Sequence, residues 1–138
     1  MSEIKVDTLT GKTTANDITV TVGASATMSL EQGLAKAWVN FDGTTTLARD
    51  SFNISSLDDD GTGIFGTNFS SSFGNVNYAQ TAVCGNEGTS STTSIQPRGY
   101  AGTTTTSASG INTFFTFTEL TASTDQTHNA VVYHGDLA

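Results

Sequence analysis

The chain has 138 residues, of which 13% are charged and 36% hydrophobic, enough for one domain of ordinary size with an additional arm. Five Lys and Arg against 13 Asp and Glu give a net charge of -8, which leaves no positive field to hold a phosphate backbone and excludes nucleic acid as a direct partner. No stretch approaches the roughly 20 apolar residues of a membrane helix. The start Met1-Ser2-Glu3-Ile4-Lys5-Val6 lacks the basic-then-apolar layout of a signal peptide, so the expectation is a chain made in the cytoplasm without membrane insertion.

Ser and Thr make up about thirty per cent of the residues, well above their usual share, while strong helix formers are scarce. β-Branched Thr and turn-favouring Ser point to strands and loops. The fold class expected is all-β, an antiparallel β-sandwich (jelly-roll-like) head over 34–138 with a short N-terminal β arm over 1–33.

In chain order, Ile4, Val6 and Thr8 alternate with Lys5 and Asp7, and Ile18, Val20 and Val22 alternate with Thr19 and Thr21. These predict two short strands joined by the polar stretch 10–17. Without an aromatic residue such a pair covers no face, and an isolated two-stranded unit is marginal in water, so the arm requires a partner surface. Residues 24–34 predict a helical turn with Ser25 or Thr27 as its N-cap and Glu31 near the third position, cut short by Gly33.

The signal strengthens at Leu34. Ala35, Ala37, Val39 and Phe41 fall on one side of a strand and Lys36, Trp38 and Asn40 on the other, and Asp42-Gly43 follows as a two-residue hairpin signal. Phe52 and Ile54 are placed on one face. Asp58-Asp59-Asp60-Gly61-Thr62-Gly63 then reads as a second hairpin connection before Ile64, Phe65 and Phe69. Residues 70–77 form a polar loop around Phe73, and Tyr78 to Cys84 a partly buried strand. Residues 85–94 read as a surface loop, 95–100 as an edge strand carrying Pro97, 111–120 as an alternating strand and 130–134 as the last strand.

The chemistry available is thin. His128, in a polar loop, or His134 would have to serve Cys84 or a Ser with Asp125 or Asp136 behind it, and neither an activated-serine elbow nor a phosphate-binding loop occurs, so no enzyme is expected and no catalytic residue is assigned. Lone Cys84 forms no internal disulfide. Asp58 and Asp60 gather hard oxygen ligands as calcium loops do, yet the downstream Glu of such a loop is lacking, and Asp and Gly are favoured in hairpin turns without any metal. No cofactor is expected. His134 would hold a metal only by meeting its copies on a threefold axis.

Trp38, Tyr78 and Tyr100, with Tyr133, are the side chains able to stack on a sugar ring, and define the candidate glycan or receptor contact. Trp38 has the opposite parity to Val39 and Phe41. It is expected to fill the core or a subunit interface, because one buried Trp contributes a large apolar area. Phe114 poses the same question beside Phe115, since a strand apolar on both faces is what an oligomer contact requires.

The run from Met1 to Gly11 with Ile18-Thr19-Val20, the block from Ala35 to Thr44, the block from Arg49 to Leu57, Asn77-Tyr78-Ala79 and the final Val131 to Ala138 together resemble virion structural and tail-fibre-like proteins of marine tailed bacteriophages. The resemblance covers most of the chain and implies a homotrimer displayed on the virion, among other capsid or tail proteins, with an N-terminal anchor and a β-rich head. Extended shaft and second head are lacking, which turns the expectation toward a short fibre or decoration protein. Its virion-anchoring arm would use Ile4, Val6, Ile18, Val20 and Val22 in strand addition. The alternative is viral attachment, with the head of a tail fibre binding a receptor or host surface glycan.

Overall fold

Alternation of apolar and polar side chains organises the computed structural model, which is mostly β-strand, with helix confined to one short turn among the described residues. It describes residues 4–12, 18–22, 25–85, 93–96, 114–118 and 122–138, with the side chains of Val22 and of the strands at 93–96, 114–118 and 122–123 left aside. Two compact units divide the chain, residues 1–34 and residues 35–138.

In the first unit, β1 (Thr19–Val22) pairs antiparallel with β2 (Ala26–Ser29), Thr19 opposite Ser29 and Val22 opposite Ala26. This corrects the expected arm. Residues 4–12 belong to no strand, and the partner of β1 is the segment read as the start of a helical turn. The helix that does form, α1 (Leu30–Gly33), is a single turn behind Ser29, whose side chain makes no cap hydrogen bond. β-Branched Thr27 favours extended backbone, and the three-residue connection 23–25 closes at an entropic cost about 1 kcal/mol below that of pairing across 10–17.

The second unit is an antiparallel β-sandwich. One sheet runs β4 (Leu47–Phe52), β3 (Ala37–Asp42), β11 (His128–His134), β7 (Ala79–Gly85). The other runs β10 (Ala122–Ser123), β9 (Phe114–Thr118), β6 (Ile64–Phe69), β5 (Ile54–Gly61), with β8 (Thr93–Gln96) also paired to β9. Ala37, Val39 and Phe41 of β3 and Val131 and Tyr133 of β11 point inward from the first sheet, against Phe65, Thr67 and Phe69 of β6 and Phe73 from the following loop. Phe41 and Phe65 meet edge to face at 5.2 Å between ring centroids, as do Phe69 and Tyr133 at 5.0 Å. The Tyr133 hydroxyl, fully buried, is satisfied across the sandwich by Thr67 Oγ1 at 2.6 Å. Desolvation pushes its phenol well above the usual tyrosine range, so it stays protonated.

Both predicted hairpins exist, with different turns. The β3–β4 connection is four residues, Gly43 to Thr46, rather than two. Asp42 sets it: its Oδ1 accepts from the Thr44 N–H at 2.9 Å and the Thr44 hydroxyl at 2.7 Å, and Thr46 takes a positive φ of 54°. Gly43 donates its N–H to the Gln126 carbonyl, and a Cβ there would stand 2.8 Å from that oxygen and 2.9 Å from the Phe65 ring. Only glycine permits the approach. In the second hairpin the three aspartates are strand, not loop: β5 continues to Gly61 and the turn is Thr62-Gly63, with Gly63 at φ 67°.

Phe52 and Ile54, expected on one face, belong to different sheets. Asn53 stands between them at φ 56°, and its side chain ties the corner: Nδ2 donates to the Lys36 carbonyl at 3.0 Å and the Ser71 carbonyl at 3.1 Å, while Oδ1 accepts from the Ser71 N–H at 2.6 Å. Asn tolerates left-handed backbone better than other non-glycine residues, which lets the chain turn from one sheet into the other here.

Candidate functional site

Two surfaces stand out. The first is the arm. Ile4 is 85% exposed, Val6 56% and Leu9 61%, and Val20 and Met28 also face solvent. Of the expected anchoring residues, Ile18 is half-buried, and the side chain of Val22 lies outside the described residues. No residue of β2 or α1 is buried, so this unit has no core of its own among the described residues.

The second surface is the outer face of the four-stranded sheet. Register places Phe52, Trp38, Val132 and Thr81 in one row across β4, β3, β11 and β7. The next row is Asp50, Asn40, Ala130 and Val83. Trp38 is therefore not a core side chain: Val39 and Phe41 fill the interior, and Trp38 is left half-exposed on the opposite face. Phe52 at 53% and Val83 at 63% exposure extend the apolar surface on either side.

Beyond these rows Arg49 reaches over β3, displaced by a register shift between Asn40 and Phe41. Its guanidinium donates to Asp42 Oδ2 at 3.1 Å and to the Thr127 carbonyl at 2.6 Å. Donation from the Thr44 side chain and N–H, with the Arg49 charge, holds the Asp42 carboxyl below its ordinary value of 3.8. His128, expected in a loop, opens β11 opposite Gly85, with Thr127 Oγ1 at 3.3 Å from Nδ1. A recess of about 250 Å³ lies over this corner of the sheet, bordered by Asn40, Val83, Gly85, His128 and Ala130.

The other candidate residues are dispersed. The Tyr78 ring packs on Phe73 at 4.6 Å and Phe69 at 5.7 Å, against the core rather than beside Trp38, and Tyr100 lies outside the described residues, as does most of the 85–94 loop. Asp58 accepts from Asn68 Nδ2 at 2.9 Å, while the intervening Asp59 accepts from Thr46 Oγ1 and the Gly61 N–H. Strand alternation thus turns neighbouring carboxylates apart, and among the described residues no three His, Cys, Asp or Glu converge as metal ligands. Asp125 accepts from the Gly63 N–H at 2.6 Å, which gives it a structural task in the second hairpin.

Asn53 and the recess around Ala130 were not visible in the sequence as functional or structural nodes. A small residue between Val131 and the polar strand start carried the only hint of the recess. Compared with protein-family models, curated proteins and solved structures, the chain matches none.

Proposed function

We propose that this chain is a structural component of a bacteriophage particle, a short fibre or decoration protein whose N-terminal arm docks to other virion proteins while the sandwich forms its displayed head. The observation that carries the reading is the exposure of Ile4, Val6 and Leu9 on a segment patterned as a strand yet belonging to none. An extended segment with alternating apolar side chains gains main-chain hydrogen bonds and buries those side chains when it adds to a sheet edge. The sequence resemblance to virion proteins of tailed phages supplies the setting.

The test is removal of residues 1–34 from the copy carried by the phage that encodes it. Purified particles are then analysed by mass spectrometry, and the truncated head is followed separately by circular dichroism. A folded head absent from the particles is the expected result. Normal incorporation of the truncated head overturns the proposal.

A further inference from the structure

We propose that the recess on the outer face of the four-stranded sheet binds a neutral pyranose sugar. The inference goes beyond the docking role of the arm and stands without it, because it concerns the head alone.

The recess exists because of side-chain size. Along β11 the outward positions are His128, Ala130 and Val132, and Ala130 is flanked across the sheet by Asn40 on β3 and Val83 on β7. Gly85, opposite His128, contributes no side chain. A methyl group and a glycine among larger neighbours leave a hollow of about 250 Å³. That is smaller than the roughly 300–1,000 Å³ of sites for drug-sized ligands and cofactors, and it suits one six-membered ring.

Its chemistry narrows the ligand further. Ala130 and Val83 offer an apolar floor and wall, while the Asn40 amide and the His128 imidazole supply hydrogen-bonding groups at the rim. A pyranose matches this division, with C–H groups on its face and hydroxyls at its edge. Among the described residues the cation beside the recess is Arg49, which donates to Asp42, to the Thr127 carbonyl and, at 3.5 Å, to Asn40 Oδ1, and Asp50 lies in the same row as Asn40. The described residues of this corner therefore supply no surplus positive charge for a phosphate, a sulfate or an acidic sugar. One register row away, Trp38 and Phe52 continue the apolar surface with aromatic rings, where a second sugar unit of a chain could stack.

An open recess of this size holds a single sugar weakly, with a dissociation constant on the order of 1 mM, and several copies on one surface would raise the effective affinity. The test uses the full isotope-labelled chain titrated with methyl pyranosides of gluco, galacto and manno configuration to about 50 mM. Amide shifts are followed at Asn40, Val83, Gly85 and Ala130, together with the fluorescence of Trp38, the sole tryptophan. At least one sugar should give saturable shifts at these amides, with glucuronate binding more weakly.

Asn40→Ala and Ala130→Leu should each weaken binding about tenfold, while Val76→Ala, exposed in the loop before β7 toward the opposite end of the sheet from His128, should leave it unchanged. Should Ala130→Leu fail to fold, Asn40→Ala carries the test. Absence of saturable shifts with every sugar, or equal binding by both recess variants, overturns the proposal. So does a shift of the same amides on dilution with a concentration-dependent mass and no sugar effect, which would assign this face to a second copy of the chain.

Discussion

Both units of this molecule alternate apolar and polar residues, yet among the described residues only the second has an interior. Residues 1–34 pair β1 with β2 and leave Val20 and Met28 facing solvent, whereas residues 35–138 bury Phe41, Phe65, Phe73 and Tyr133 to 1% exposure or less. The contrast separates two requirements that sequence patterning alone conflates. Alternation alone does not even secure a strand, since residues 4–12 carry the pattern and belong to none. A core further needs large side chains converging from two layers, each contributing about 1.5–3 kcal/mol on full burial.

The largest expected effect breaks the head. Phe41→Ala or Phe65→Ala removes half of the edge-to-face pair across the sandwich and should cost about 3–5 kcal/mol in urea unfolding, while Val20→Ala in the arm should change the same midpoint by less than about 0.5 kcal/mol. Equal effects would mean that the two units share one cooperative transition. Next comes the corner: Asn53→Ala loses three side-chain hydrogen bonds and keeps an unfavourable φ, for about 2–4 kcal/mol, and Asn53→Gly should recover part of that by relieving the backbone alone.

Tyr133→Phe should cost about 1–3 kcal/mol, because the buried Thr67 hydroxyl is left without its partner, and adding Thr67→Val should restore some of the loss. Gly43→Ala forces a methyl against the Gln126 carbonyl and is expected to lower stability by about 1–3 kcal/mol.

The smallest effect is titration of the first hairpin. The folded Asp42 value lies below its ordinary 3.8, so its contribution is fully present above that pH and is lost as pH falls through the folded value. Thermal unfolding of Asp42→Asn should be correspondingly flatter with pH in the acid range than that of the parent chain. An unchanged acid slope would remove Asp42 from the set of groups that hold the turn.

Much of this was legible beforehand for identifiable reasons. Ala37, Val39 and Phe41 declare their face because the partner sheet buries them, and the Asp-Gly signals locate both hairpins. The turn of the first hairpin was misjudged because Asp42 caps Thr44 with its side chain, which favours a longer loop than Asp-Gly alone. Phe52 and Ile54 were assigned a common face because period two assumes a continuous strand, and Asn53 breaks it. Trp38 was expected in the core or at a subunit interface on the strength of its size; parity with the buried residues to either side decides direction and takes it out of the core. The recess depends on residues from three strands distant in sequence, a juxtaposition that no local pattern contains.

The place of β11 in its sheet carries a consequence for biosynthesis. It lies between β3 and β7, and Asn129, 88 residues after Phe41, donates to the Phe41 carbonyl. As the ribosome extends the chain, the β3–β4 and β5–β6 hairpins can close from neighbouring residues, but β3 and β7 have an unmatched side until residues 128–134 emerge. Such non-local closure makes for slow folding, in the millisecond-to-second range of β-sandwiches, and leaves a nascent head with open edges that a premature partner can capture.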